Sequence, residues 1–233
     1  MAKVILFGLR AAAELSHYYL TNDSQHEVVA FCVHKKYLPN ENFFKSLPII
    51  DFDEVEKSFP TSENCFFAPL SPIKMNTLRE KIYYDIKKKG YEMISYISSK
   101  AIVNNCVIGE NCFIQEGNTL QPFSKIGNNV MLWSDNTIAH HVIIKDHVSL
   151  TSNVVVGGNC VVEENCFLAL NSCIRNGITV SKGTLVSLGT IITNNTEEWS
   201  VYMGNPAKKI GKNISKNFSI AGKITLKTKG NLL

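Results

Sequence analysis

The stretch TLQPFSKIGNNVMLWSDNTIAHHVII, Thr119–Ile144, carries an aliphatic residue at every sixth position: Leu120, Ile126, Leu132, Ile138 and Ile144. Followed in both directions, the series runs unbroken from Ile102 to Ile192, sixteen members in one register. At the chain's 45% hydrophobic content, that run has a chance probability of about 3 in a million. Four positions after most members sits a small or β-branched residue, among them Cys106, Cys112, Ser124, Val142, Val154, Cys160, Cys166, Ser172 and Thr184. A period of six suits neither a helix nor a simple alternating strand. It suits short strands that turn a triangular corner, one aliphatic side chain pointing inward per face, and so predicts a parallel β-helix with 18 residues per coil. Gly109, Gly127 and Gly157, with asparagines near the corners, are expected to supply the turn conformations. No insertion interrupts the repeat. Chemistry must therefore sit on outward side chains, and flat faces of this kind pack against copies of the same chain, most simply as a homotrimer with sites between prisms.

Residues 1–96 read differently. KVILFG, EVVAFCV, NCFFAPL and YEMISYI are apolar strand segments, alternating with helical RAAAELSHYYL and MNTLREKIYYDIKKKG. Such alternation predicts an α/β, Rossmann-like domain with a small parallel sheet. The expected organisation is this domain over 1–96, the β-helix over 97–196 and a basic extension over 197–233. Ligands of a parallel sheet lie at the C-terminal strand ends, which here means the regions of Gly8 to Arg10, Val33 to Lys36 and Ala68 to Ser71. FGLRAAAE has one glycine instead of GxGxxG, which argues against a dinucleotide. Arg10, at the start of a helix, is disfavoured by the helix dipole unless an anion such as a diphosphate shares the site, and reads either as such an anion contact or as an exposed arginine without a task.

Composition narrows the rest. Seven cysteines with no CxxC give neither a disulfide framework nor a zinc knuckle and fit reduced thiols in a cytoplasm. The apolar run at the N-terminus is too short for a signal core or membrane span. Net charge is +4, and residues 197–233 hold seven lysines against Glu197 and Glu198. That tail lacks arginine and has few aromatics, which speaks against nucleic acid.

Three of six histidines, His140, His141 and His147, fall within eight positions. The register separates them. Ile138 and Val142 point inward, so His140 and His141 lie outside one face, whereas His147 belongs to the next hexapeptide. Three ligands on one metal within a protomer are awkward, and no metal is expected. His140 and Gly158 are one coil apart, so a base is expected beside a backbone without a side chain. There an amide N–H can stabilise an oxyanion while His140 removes a proton.

WSDNTIAHHVIIKDH, GGNCVVEENCFLALNSC and VYMGNPAKKI, after a small α/β domain, resemble the left-handed β-helix acyltransferases that acetylate nucleotide-linked sugars. Among them the chain is similar to the N-acetyltransferases of bacillosamine and perosamine biosynthesis, with sialic acid O-acetyltransferases more distant. The resemblance implies a cytoplasmic trimer in which the N-terminal domain binds a UDP- or dTDP-linked amino sugar and acetyl-CoA lies between adjacent β-helices. It implies His140 as catalytic base and Gly158 as the amide at the thioester. Ser149, Leu170, Leu188 and Lys208 are then expected at acetyl-CoA, and Gly8, Arg10 and His34 at the nucleotide sugar. This sequence departs from the family where an acidic residue follows the base: here it is His141, with Asp135 as a substitute orienting carboxylate. Sugar O-acetylation, a zinc enzyme resembling γ-class carbonic anhydrases, and a non-catalytic nucleotide-sugar scaffold are the competing readings.

Overall fold

A computed structural model describes residues 1–211. The strands β1 (Lys3–Phe7), β2 (Glu27–Val33), β3 (Phe43–Phe44), β4 (Leu47–Asp51) and β5 (Asn64–Phe67) alternate with helices α1 (Ala11–Asn22), α2 (Val55–Ser58) and α3 (Thr77–Lys88). They form one sheet in the order β3-β4-β2-β1-β5. All pairings are parallel except that of β3 with β4. Val4 to Phe7, Ala30 to Val33 and Cys65 to Phe67 are buried, as expected of parallel strands covered on both faces. The order reverses between β1 and β5, which opens a crevice at their C-terminal ends.

The last predicted strand of this part divides. Met93 bridges to Phe66 at the sheet edge, whereas Tyr96–Ile97 pairs with Phe113–Ile114 and already belongs to the β-helix. From there two-residue strands recur every six residues in three parallel sheets. One face contains Thr119–Leu120, Thr137–Ile138 and Val155–Val156, the second Lys125–Ile126, Ile143–Ile144 and Val161–Val162, the third Met131–Leu132, Ser149–Leu150 and Phe167–Leu168. Parallel sheets at hexapeptide spacing fit the left-handed form. Strand partners are 18 residues apart, so like stacks on like: Ile126 on Ile144 on Val162.

The inward positions are as expected, with one exception. Leu120 through Ile192 form a continuous buried core, joined by Cys112, Cys160 and Cys166 from the second series. Those thiols donate to carbonyls one coil on, at Gly127, Arg175 and Ser181. Ile102 breaks the pattern: it pairs with Thr119 at a 17-residue offset and is 56% exposed. The first coil is one residue short and has no complete coil beneath it to bury that side chain.

Each turn between faces has one residue in the left-handed region, at every sixth position from Asn105 to Gly189. Asparagine and glycine dominate this corner position because they tolerate positive φ. Gly109, Gly127 and Gly157 are elsewhere and have no positive φ. Their requirement is space: a Cβ on Gly157 would lie 2.3 Å from Asn176 Oδ1, and one on Gly127 2.3 Å from Asp146 Oδ1. They were expected to supply turn conformations, and the structure replaces that with room for the next coil's side chain.

The N-terminal sheet and α3 cover the third face. Its outward side chains Phe113, Met131, Ser149, Phe167 and Leu185 are all buried, packing against Phe67, Tyr96 and Met75. Arg79 of α3 is fully buried there and donates to the carbonyls of Ala68 (3.4 Å), Asn129 (3.0 Å) and Asn111 (3.1 Å). A ladder of corner side chains continues from it. Ala68 N–H donates to Asn111 Oδ1, Asn111 Nδ2 to Asn129 Oδ1, and Asn129 Nδ2 to His147 Nδ1 at 2.9 Å.

His147 is therefore a corner residue, not a ligand. It is buried between Tyr83 and Tyr84, with Nε2 3.4 Å from Tyr84 Oη and 3.9 Å from Glu80 Oε1. Because Asn129 Oδ1 is already accepting, its amide nitrogen faces Nδ1, which assigns the proton of neutral His147 to Nε2. Burial lowers the His147 pKa from its ordinary value, outweighing the opposing Glu80 and Asp146 carboxylates. A histidine harder to protonate when folded stabilises the fold above its unfolded pKa of about 6.5, and that contribution is lost as pH falls from there toward the folded value. His147→Asn, which matches Asn129 and Asn165 in the same column, should flatten this part of the Tm–pH curve. The check is a pair of thermal melts between pH 7.5 and 5, in which the wild type loses more Tm on acidification than the variant.

Candidate active site

His140 and His141 occupy the corner between the two faces that the N-terminal part leaves uncovered. His141 takes the left-handed position (φ 58°), and His140 precedes it. The backbone holds both: His140 N–H donates to Gln121 Oε1, His141 N–H to the Pro122 carbonyl, and the His140 carbonyl accepts from Asn159 N–H. The rings meet edge to face at 5.3 Å, with the two Nδ1 atoms 3.1 Å apart. One of these nitrogens carries the proton and the other accepts it.

One coil on, Gly158 lies beneath the His140 ring. A Cβ there would come within 2.8 Å of both Cε1 and Nε2 of His140. The neighbouring Gly157 makes the same allowance for Asn176 from the following coil. Asn176 is the residue that sequence reasoning missed. Its Oδ1 accepts the Gly158 N–H at 3.1 Å, so the amide expected to face an oxyanion already has a partner. The signal was present in the numbering, since His140, Gly158 and Asn176 are successive 18-residue steps. Phe123, also overlooked, stacks on His141 from the preceding coil with ring centroids 4.9 Å apart.

Other expected site residues are placed elsewhere. Ser149 is fully buried on the covered face and donates to Asn76 Oδ1 at 2.7 Å, so it has no surface to offer acetyl-CoA. Asp135 occupies the left-handed position of the preceding corner, one prism face away from His140, and its carboxylate lies over Gly117. His141, and not Asp135, is the group in contact with His140 Nδ1. Leu170 and Leu188 stack 18 residues apart and are 50% and 71% exposed, but at that same preceding corner. Lys208 is exposed on a short strand, Lys208–Gly211, beside Val201–Met203 at the end of the β-helix, and Lys209 pairs with Glu197 at 2.5 Å. The remainder of the basic extension lies outside the described residues.

Gly8, Arg10 and His34 do come together, around a cleft of about 390 Å³ at the C-terminal ends of β1, β2 and β5. Tyr37, Ser71, Ile73 and Leu78 complete its wall, and no β-helix residue contributes. Gly8 has φ 120°, a conformation that side-chain-bearing residues rarely adopt. Arg10 precedes the first turn of α1, exposed and without a side-chain cap bond, and lines the cleft together with Ala12 and Ala13 of that turn. His34 packs edge-on against Phe7 and Phe52 at the rim. A larger, shallow hollow of about 530 Å³ on the outer side of α1, crossed by the Lys45–Glu14 ion pair, is lined by α1 and Lys45 alone. Among the described residues no three histidine, cysteine or acidic side chains cluster closely enough to hold a metal ion. No helix among them is long and apolar enough to cross a membrane.

Residues 123–158 match the family model described as bacterial transferase hexapeptide (six repeats). No match to a curated protein was found by sequence. Among solved structures, PerB from Caulobacter crescentus, in complex with CoA and GDP-perosamine, is 18% identical, with a TM-score of 0.78 over 91% of this chain and 98% of that one. The acetyltransferase domain of PglB from Neisseria gonorrhoeae is 17% identical, with a TM-score of 0.77 over 90% of this chain and 100% of that one. WeeI from Acinetobacter baumannii is 18% identical, with a TM-score of 0.67 over 90% and 100%. At these identities the likeness is one of fold, and it extends through both the α/β part and the hexapeptide coils.

The contact between His140 and Gly158 is open to a direct check. Because the obstructing atoms are the end of a side chain, Gly158→Ala should shift stability by less than about 1 kcal/mol while displacing the imidazole. Nuclear Overhauser contacts between the His140 and His141 rings should weaken in a protein whose melting temperature is nearly unchanged.

Proposed function

We propose that the protein is an acetyl-CoA-dependent N-acetyltransferase acting on a nucleotide-linked amino sugar and working as a homotrimer. The observation that carries the reading is the His140 imidazole lying over Gly158, a base against a backbone without a side chain at an uncovered corner. The fold shared with PerB, whose structure holds CoA and GDP-perosamine, and with the acetyltransferase domain of PglB supports it.

The chemistry follows from the tautomer. For Nε2 to be the basic nitrogen, the His140 proton sits on Nδ1 and is donated to His141 Nδ1. The sugar amine attacks the thioester carbonyl carbon, a C–N bond forms, and His140 Nε2 takes the amine proton. The Gly158 N–H exchanges Asn176 Oδ1 for the developing oxyanion. Collapse breaks the C–S bond, and the proton on His140 passes to the departing thiolate. The products are an acetamido sugar and CoA, with no metal required by the atom balance.

Assembly completes the site. The cleft with Arg10 and the corner with His140 share no lining residue within one protomer, and Leu170 and Leu188 sit one prism face away from the base. The two uncovered faces present Val107, Ile143 and Val155 to solvent. Packing those faces against neighbouring copies buries them and brings a second copy's corner to His140.

The test is thiol release from acetyl-CoA across GDP-, UDP- and dTDP-linked 3- and 4-amino sugars, with product mass identifying the acetamide. His140→Ala should lower kcat by about 10² to 10⁴, the range for a lost general base. An unchanged kcat in a folded assembly removes the assignment. The oxyanion step is separable: Asn176→Ala frees the Gly158 N–H and should leave kcat equal or higher. Asn176→Asp holds that N–H with a carboxylate and should reduce kcat, by as much as the roughly 10²-fold lost with an oxyanion donor.

A further inference from the structure

The corner that holds the two histidines contains one residue whose backbone is at odds with its side chain. Of the fifteen left-handed corner residues between Asn105 and Gly189, seven are asparagine, four glycine, one aspartate and two histidine. The remaining one is Phe123, with φ 66°. A bulky residue in this region is a strained outlier, and such strain persists where something else requires the side chain. Burial does not supply that requirement, because Phe123 remains 58% exposed. Its aromatic partner is the His141 ring, one coil on in the same column, at 4.9 Å and inclined by 41°.

The contacts then run in one direction across the corner. Phe123 lies against His141, His141 Nδ1 meets His140 Nδ1 at 3.1 Å, and the His140 ring covers Gly158. His141 is itself exposed, so without the phenyl ring its imidazole would be free to turn about χ1 and χ2. Turning it breaks the Nδ1–Nδ1 hydrogen bond, and a His140 tautomer with its proton on Nδ1 then loses its acceptor.

We propose that Phe123 is a positioning residue: its ring braces the His141 imidazole, and the braced imidazole fixes His140 in the tautomer whose Nε2 is basic. The strained aromatic is retained for this purpose and not for folding. The proposal rests on His140 as the base of acetyl transfer, so its test includes a readout that does not depend on turnover.

Phe123→Asn places at this corner the residue most used at the others. Its melting temperature should equal or exceed that of the wild type, because the strain is removed. Its kcat should fall about 10- to 100-fold, as when outer partners of metal-bound histidines are lost, with KM for acetyl-CoA unchanged. Phe123→Tyr, which keeps the ring, should recover most of that loss. Long-range ¹H–¹⁵N spectra should show His140 as the Nδ1–H tautomer in the wild type and as a mixture in Phe123→Asn. Unchanged tautomers overturn the proposal, as does a fall in assembled mass that tracks the lost activity, which would make Phe123 a contact between copies. A wild type that shows the tautomer shift but transfers no acetyl group leaves the bracing intact and removes the acetyltransferase reading instead.

Discussion

The guanidinium of Arg79 is the fixed point of the molecule. It is fully buried, burial lowers its pKa only to about 10, and it therefore carries its charge at neutral pH with carbonyls for partners instead of a carboxylate. Those carbonyls belong to the chain just after β5 and to two successive corners of the β-helix. One side chain on α3 thus specifies both the height of the sheet along the helix axis and the face that it covers. Loss of any one contact would leave a carbonyl unpaired away from water, at roughly 1–3 kcal/mol each. Because that cost falls on three elements together, the arrangement resists sliding in a way that the apolar contacts around Phe113, Met131 and Phe167 cannot, since apolar packing is non-directional.

From this docking follows the division of labour among the three faces. The face beneath Arg79 is closed to ligands, which is why Ser149, a surface residue by any reading of the repeat alone, is instead bonded to Asn76. Among the described residues nothing covers the other two faces, which meet at the corner of His140 and His141. His147 lies on the far side of the second face, at the corner that α3 overlays, and is absorbed into the polar ladder begun by Asn111. Two histidines six residues apart in the same repeat position thus have unrelated tasks, decided by what covers each corner.

Much of this was legible in the sequence because the repeat is a physical ruler. A period of six fixes which side chains point inward, and an interval of 18 fixes which ones stack. The buried core from Leu120 to Ile192 and the pairing of His140 with Gly158 follow from that arithmetic alone. What the ruler cannot report is the content of the corners and the identity of the covered face. Ile102 fails because the repeat has an end. Asp135 fails because proximity in sequence across a corner becomes a full face in space. Asn176 and Phe123 were overlooked although they stand at the right intervals, since their significance lies in where a side chain leans, toward Gly158 N–H and toward the His141 ring.

The same geometry explains why a protomer is an incomplete catalyst on this reading. An acyl transfer needs the amine, the thioester and the base within reach of one another, and proximity accounts for a large share of the rate gain. Here the cleft of Gly8 and Arg10 lies at the crevice between β1 and β5, while His140, the proposed base, stands at a corner formed only by the uncovered faces. A rigid β-helix has no hinge with which to close that separation, because each coil is hydrogen-bonded to the next along all three sheets. Symmetry supplies the alternative. In the proposed assembly, a second copy packed on the apolar faces would place its own exposed corner residues beside His140 without any movement within the chain. On that proposal the hydrogen-bonded coils, and not a moving lid, hold the reacting groups in alignment.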